Sequence, residues 1–175
     1  MRLSAWHEEP IGKAHDRKGF DCGDADLNEF LAKYARQSHE SGSAKTFCAI
    51  DNAHPGKILG FYSIAPAQLD YERMPQRLRK GLARHDVGGF RLARLATDRS
   101  VQGQGLGGQL LGAAARRAIL AAEAVGGLLL VIDAKNEQAA NWYAGYGGIG
   151  LDDAPRTLVM SLATFAAGLK AKGNL

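Results

Sequence analysis

Between Arg91 and Asp133 the chain sets out a short apolar strand, a glycine-rich loop, a long amphipathic helix and a wholly apolar strand, in that order. The loop reads Gln102-Gly103-Gln104-Gly105-Leu106-Gly107-Gly108, four glycines in seven residues. A chain gives up that much backbone entropy where side chains would be in the way. The helix that follows, from about Gly107 to Val125, puts Leu110, Leu111, Ala114, Ala118, Ala121, Ala122 and Val125 on one face, and Gly126-Gly127 ends it. Leu128-Leu129-Leu130-Val131-Ile132-Asp133 lacks polar alternation, as a strand buried on both faces does. This unit commits the chain to a mixed α/β fold with a loop at a helix N-terminus. There, converging N–H groups and the helix dipole attract an anion.

The flanking sequence fills in the rest. Asp26-Leu27-Asn28-Glu29 has capping-box-like spacing, with Asp26 at the N-cap. Leu27, Phe30, Leu31, Tyr34 and Ala35 follow at helical spacing, so a helix is expected to about Gln37. Thr46 to Asp51 and Lys57 to Ala65 read as strands around the hairpin composition Asn52-Ala53-His54-Pro55-Gly56. Met74 to Leu82 reads as a short basic helix, Arg91 to Thr97 as a strand, Glu137 to Tyr146 as a helix and Thr157 to Leu162 as a last strand. No repeat or low-complexity linker interrupts the 175 residues, so 1–165 is expected to form one domain and 166–175 a loosely held tail.

Composition narrows the function classes. No apolar run approaches the ~20 residues of a membrane helix, and MRLSAWHEEP lacks the apolar core of a signal peptide, so a cytoplasmic protein is expected. Cys22 and Cys48 read as small buried hydrophobes, and the five histidines show no metal-ligand spacing, so no metal is expected. The net charge of +4 is concentrated in 72–94, where seven basic residues face two acidic ones. A basic block in an otherwise nearly neutral chain suggests a polyanionic partner, RNA or the phosphates of a cofactor.

Three phosphate-binding designs compete for the loop. A Walker A loop would need a Lys-Ser or Lys-Thr pair after the glycines, and none follows. Gly103, Gly105 and Gly108 match the dinucleotide pattern GxGxxG, but Asp98-Arg99-Ser100-Val101-Gln102 separates the strand from the first glycine. The third design fits. Gln102-Gly103-Gln104-Gly105-Leu106-Gly107 resembles the acyl-CoA loop of the GNAT acetyltransferases, [Arg/Gln]-x-x-Gly-x-[Gly/Ala], with Leu95-Ala96-Thr97 at the upstream distance of that family's acyl-binding strand.

The resemblance spans Phe20 to Leu162. It implies the GNAT α/β fold, a mixed and mostly antiparallel central sheet flanked by helices and splayed near the acyl-CoA loop. It also implies acetyl-CoA as the cofactor. Leu95, Ala96 and Thr97 would pair their backbone with the pantetheine arm, one N–H stabilising the oxyanion. Gln102, Gly103, Gln104, Gly105, Leu106, Gly107 and Gly108 would hold the pyrophosphate. Tyr143 matches the family's general acid, and with phenol near ~10 and thiol near ~8.5 the transfer is nearly balanced. Asn136 could hydrogen-bond the pantetheine or cap the helix at Glu137. Trp142 reads as core and Tyr146 as structural.

Within the family the chain is most similar to toxins that acetylate the amino acid on aminoacyl-tRNA. That similarity rests on Phe20-Asp21-Cys22-Gly23-Asp24-Ala25-Asp26-Leu27-Asn28-Glu29-Phe30-Leu31, on Arg94-Leu95-Ala96-Thr97-Asp98 and on Ala140-Asn141-Trp142-Tyr143. An aminoacyl α-amine, below ~8, needs little general-base help. Arg77, Arg79, Lys80, Arg84 and Arg91 would then meet tRNA phosphates. The resemblance also implies a small ribbon-helix-helix antitoxin and a homodimer. Two alternatives stand beside it: an ordinary GNAT acting on a protein N-terminus or small amine, and a non-catalytic acyl-CoA- and RNA-binding module.

Overall fold

The structure, a computed structural model, describes residues 2–171. Among the described residues seven strands follow the order β1-β2-β3-β4-β5-β7-β6 in one sheet. They are β1 (Trp6–Pro10), β2 (Lys45–Asp51), β3 (Ile58–Leu69), β4 (Val87–Thr97), β5 (Leu129–Asp133), β6 (Ile149–Gly150) and β7 (Thr157–Ser161). The pairs β1/β2, β2/β3, β5/β7 and β6/β7 are antiparallel, while β4 on β5 is parallel, from Gly89↔Leu129 to Leu92↔Ile132. The helices are α1 (Ala25–Glu29), α2 (Ala35–Ser41), α3 (Leu106–Val125), α4 (Glu137–Gly145) and α5 (Leu162–Ala171). The chain forms two compact units, one holding residues up to Ala65 with Ala93–Ala114, the other Pro66–Leu92 with the chain from Ala115. β3, β4 and α3 run through both.

The first unit is organised on aromatic packing. Phe61 of β3 meets Phe20 edge-on at 5.5 Å and stacks on Phe30 at 6.2 Å, with Leu31, Cys48, Ile50, Ile58 and Ala96 completing the core. α1 and α2 are joined by a π-helical stretch, Phe30–Tyr34, which carries the buried Phe30 and Leu31. The N-cap is Asp24, accepting from the Leu27 N–H at 3.1 Å, and not Asp26 as the spacing suggested. The helix ends at Gly42, whose φ of +83° is left-handed. β2 is buried on both faces, and its one inward hydroxyl, Thr46, is satisfied by Ser63 opposite at 2.7 Å.

In the second unit Leu69, Met74, Val87, Leu129, Val131, Leu151 and Val159 form the core, with Leu78 and Leu82 against it. The expected basic helix over Met74 to Leu82 is absent; two single 3₁₀ turns, Tyr71–Arg73 and Gln76–Leu78, stand in its place. Pro75 holds Met74 extended, and Gly81 adopts φ +80°. The Arg79 guanidinium also takes the Met74 and Glu72 carbonyls, at 2.8 and 2.7 Å. The last turn of α3 leaves the core, with Val125 80% exposed rather than on the buried face. Residues 166–171, expected in a loose tail, belong to α5, and 172–175 lie outside the described residues.

Candidate active site

The glycine-rich loop sits in the first unit, between the end of β4 and the start of α3. Gly103 and Gly105 have φ of +78° and +89°, where any other residue would be strained. A Cβ built on either would project into open space, with nothing within 4 Å. The loop therefore presents bare backbone outward, and the first turn of α3 carries no acidic side chain to repel an anion. Those observations fit the phosphates of a coenzyme bound at a helix N-terminus.

What holds the loop explains the Phe20–Leu31 stretch. Gln102 points back into the protein: its Nε2 donates to the Cys22 carbonyl at 2.9 Å and to the Thr97 carbonyl at 3.0 Å. Gln104 Nε2 reaches the Ser100 carbonyl at 3.4 Å. Asp98 accepts from the Asp21 N–H at 3.0 Å, the Ser100 N–H at 3.0 Å and the Ser100 hydroxyl at 2.7 Å. Asp21 in turn accepts from the Gly23 N–H and from Asn28 Nδ2, both at 2.9 Å, while Asn28 Oδ1 takes the Cys22 N–H at 2.9 Å. The Gly23 and Asn28 donors, with the Arg99 guanidinium 3.7 Å away, hold the Asp21 carboxyl below its ordinary range. The sequence alone assigns no role to Asp21, Asn28 or Asp98: the Asp21–Asn28 bonds are local, but the one that fastens them to the loop, from the Asp21 N–H to Asp98, spans 77 positions and leaves no local pattern.

The segment Leu95-Ala96-Thr97 is the C-terminal end of β4. Ala96 is buried in the aromatic core and Leu95 and Thr97 are half-buried. Beside them, Arg94 lays its guanidinium over the Phe30 ring, 3.7 Å from the centroid, and burial pulls its pKa down.

In the second unit Asn136 caps α4, its Oδ1 accepting from the Ala139 N–H at 2.8 Å, so the capping alternative is the one observed. Tyr143 is buried on α4, and its carbonyl closes the helix by accepting from Tyr146 and Gly148. Its hydroxyl has no hydrogen-bond partner among the described residues. Burial pushes the phenol up to about 12, so a proton transfer that ordinary pKa values made nearly even is no longer balanced. Trp142 is 38% exposed rather than core, and it meets Tyr146 edge-on at 4.9 Å on the surface of α4.

The five basic residues expected at tRNA divide. Arg77, Lys80 and Arg84 are exposed, with no ion pair among the described residues. Arg79 is committed to the Met74 and Glu72 carbonyls and lies 5.3 Å from the Tyr71 ring centroid. Arg91 is paired with Asp133, which also accepts from Thr157 at 3.4 Å. Cys48 is buried, its thiol pushed up to about 12 by desolvation, and has no nucleophilic character.

Residues 42–147 match the acetyltransferase (GNAT) domain family. The chain is 31% identical over 136 residues to a tRNA-acetylating toxin of Mycobacterium tuberculosis (strain ATCC 25618 / H37Rv), covering 78% of this chain and 80% of that one. Its fold superposes on AtaT complexed with acetyl-methionyl-tRNAfMet with a TM-score of 0.87, at 26% identity over 94% of this chain and 99% of the other. A tyrosine-to-phenylalanine mutant of the AtaT toxin, bound to the C-terminus of the antitoxin AtaR and to acetyl-CoA, gives 0.81, at 26% identity over 94% and 98%. The chain belongs to the GNAT acetyltransferases, in the group that contains these toxins. It is an acetyl-CoA-dependent N-acetyltransferase.

Proposed function

We propose that this enzyme transfers acetyl from acetyl-CoA to the α-amino group of an aminoacyl-tRNA and thereby blocks translation. The similarity to the tRNA-acetylating toxin over most of both chains carries the reading. The exposed Arg77, Lys80 and Arg84 support it, since cations free of carboxylates suit tRNA phosphates better than a small cationic amine. Acetylation removes the nucleophile that peptide-bond formation requires.

Bound acetyl-CoA supplies the activated acetyl thioester. Gly103, Gly105, Leu106, Gly107 and Gly108 would hold its phosphates through backbone N–H groups, and Leu95, Ala96 and Thr97 its pantetheine arm. Gln102 and Gln104 brace the loop from behind through the hydrogen bonds already described. Asn136 spends its oxygen on the helix cap and keeps its amide for the pantetheine. The aminoacyl amine attacks directly, with no covalent enzyme intermediate. Tyr143 serves the departing sulfur: at about 12 its phenol is protonated at every cellular pH, so the donor is always loaded. Full transfer to a thiolate of ordinary basicity, ~8.5, runs uphill, so a hydrogen bond to the sulfur as charge develops is its main contribution.

AtaT has been captured with an antitoxin, and a small ribbon-helix-helix antitoxin, homodimerisation and a cytoplasmic location complete the reading. The experiment is transfer of labelled acetyl from acetyl-CoA to a total charged tRNA pool, beside uncharged tRNA and a panel of small amines. Label in the charged pool alone establishes the reading. Label in a small amine or a protein overturns it and leaves the acetyltransferase assignment standing.

A further inference from the structure

Arg94 is an arginine without a counter-charge. Its guanidinium lies flat on Phe30, 3.7 Å from the ring centroid, and no hydrogen bond or ion pair with any described residue engages it. Every other arginine of the basic segment is either exposed or tied to a partner: Arg73 to Asp153, Arg79 to two carbonyls and Arg91 to Asp133. Arg94 is half-buried, and desolvation alone lowers its pKa. A stacked guanidinium keeps its five N–H donors at the rim of the plane, in a fork that fits a phosphate. No described residue engages that half-buried fork, so a phosphate takes it without displacing a protein partner.

Its place in β4 says which ligand. Alternation along the strand puts Arg94 on the face of Ala96, which packs in the same core as Phe30. Arg94 lies three residues before Thr97, about 10 Å of extended chain, and the loop's first glycine, Gly103, comes only after Asp98–Gln102. The coenzyme phosphates belong at that loop, so the phosphate for Arg94 comes from the other substrate.

We propose that the Arg94 guanidinium, held by Phe30, binds a phosphate of the RNA acceptor end and so positions the aminoacyl amine at the acyl-binding strand. This rests on the aminoacyl-tRNA reading above. A structural alternative is that the aliphatic stem merely covers Phe30 while the head is hydrated. Arg94→Met keeps the stem and removes the charge, and Arg94→Lys keeps a charge without the fork.

Both variants and wild type are assayed for transfer to a total charged tRNA pool, for binding of that pool across a salt series and for KM toward acetyl-CoA. Arg94→Met is expected to raise KM for charged tRNA tenfold or more and to lower the salt slope of binding by about one. KM for acetyl-CoA should stay within twofold, and Arg94→Lys should fall between. Unchanged tRNA KM and salt slope overturn the proposal, as does a change in acetyl-CoA KM instead, which would give Arg94 to the coenzyme phosphates. Both variants melting well below wild type, with normal transfer at low temperature, assigns Arg94 to packing and also overturns it. Wild-type protein that leaves the charged pool unlabelled overturns the tRNA reading itself, a result separable from failure of the variants alone.

Discussion

Gln102 Nε2 lies 2.9 Å from the carbonyl oxygen of Cys22, joining the glycine-rich loop to a residue eighty positions upstream. The same amide donates to the Thr97 carbonyl at 3.0 Å, so one side chain ties together the loop, the end of β4 and the turn before α1. Gln102→Ala is therefore expected to raise KM for acetyl-CoA about tenfold while leaving kcat and the charged-tRNA KM within twofold. The Cys22 and Thr97 carbonyls would each lose a donor worth ~1 kcal/mol. Gln102→Glu should be no better, since a carboxylate has no N–H to give. Isothermal titration with acetyl-CoA measures the effect directly, and unchanged affinity in Gln102→Ala would show that the loop keeps its shape unaided.

Tyr143 yields an activity prediction and a stability prediction. Tyr143→Phe should lower kcat by 10²-fold or more, with acetyl-CoA affinity unchanged, because only the hydroxyl is removed. The folded-state phenol pKa, about 12, is above the ordinary value of ~10, so the native state holds its proton more tightly. That contribution to stability is complete below pH 10 and is lost as pH rises toward 12, at most ~3 kcal/mol. Urea titrations at pH 8 and pH 11 should show wild type losing more than Tyr143→Phe. Cys48, also raised to about 12, adds a parallel loss from pH 9 upward in both proteins.

How far the sequence reached depends on how local each cause was. The α3 face, the β5 run and the hairpin at 52–56 are encoded within a few residues of themselves, and they formed close to where periodicity placed them. β1 and β6 were not legible, because Trp6–Pro10 and Ile149–Gly150 are strands only through pairing with β2 and β7. Capping-box spacing pointed to Asp26, and only the bond from the Leu27 N–H identifies Asp24 as the cap. Short motifs alone carried the expectations for Tyr143 and for the glycine-rich loop. The Asp21–Asn28–Asp98 network and the unpaired state of Arg94 arise only once distant segments of the chain meet.

The loop glycines separate backbone geometry from bulk. Gly103→Ala and Gly105→Ala should each destabilise the protein by ~1 kcal/mol, since both need positive φ, and each should weaken acetyl-CoA binding. Gly112 is a control, lying within α3 with open space where a Cβ would go. Gly112→Ala should raise stability by up to ~1 kcal/mol and leave acetyl-CoA affinity alone. Melting curves with and without acetyl-CoA test all three; a Gly103→Ala protein with wild-type melting and affinity would refute the role of the left-handed turn.

The basic segment mixes two kinds of arginine, and mutation should sort them. Arg79 holds the Met74 and Glu72 carbonyls and lies against Tyr71, while Met74 is anchored in the second unit's core. Arg79→Ala should cost ~1.5–3 kcal/mol, the range for hydrogen bonds involving a charged group, with little change in the salt slope of tRNA binding. Arg77, Lys80 and Arg84 have no such duties. Replacing all three with Ala should leave the melting temperature within a degree or two, yet cut charged-tRNA affinity tenfold or more at moderate salt. The salt slope should fall by about one for every phosphate left without its cation. The weakening should be the same for every charged tRNA in the pool, because cations on phosphates read no sequence. If the triple variant binds and acetylates charged tRNA as wild type does, the exposed basic residues are a solvated face and the tRNA must be held elsewhere.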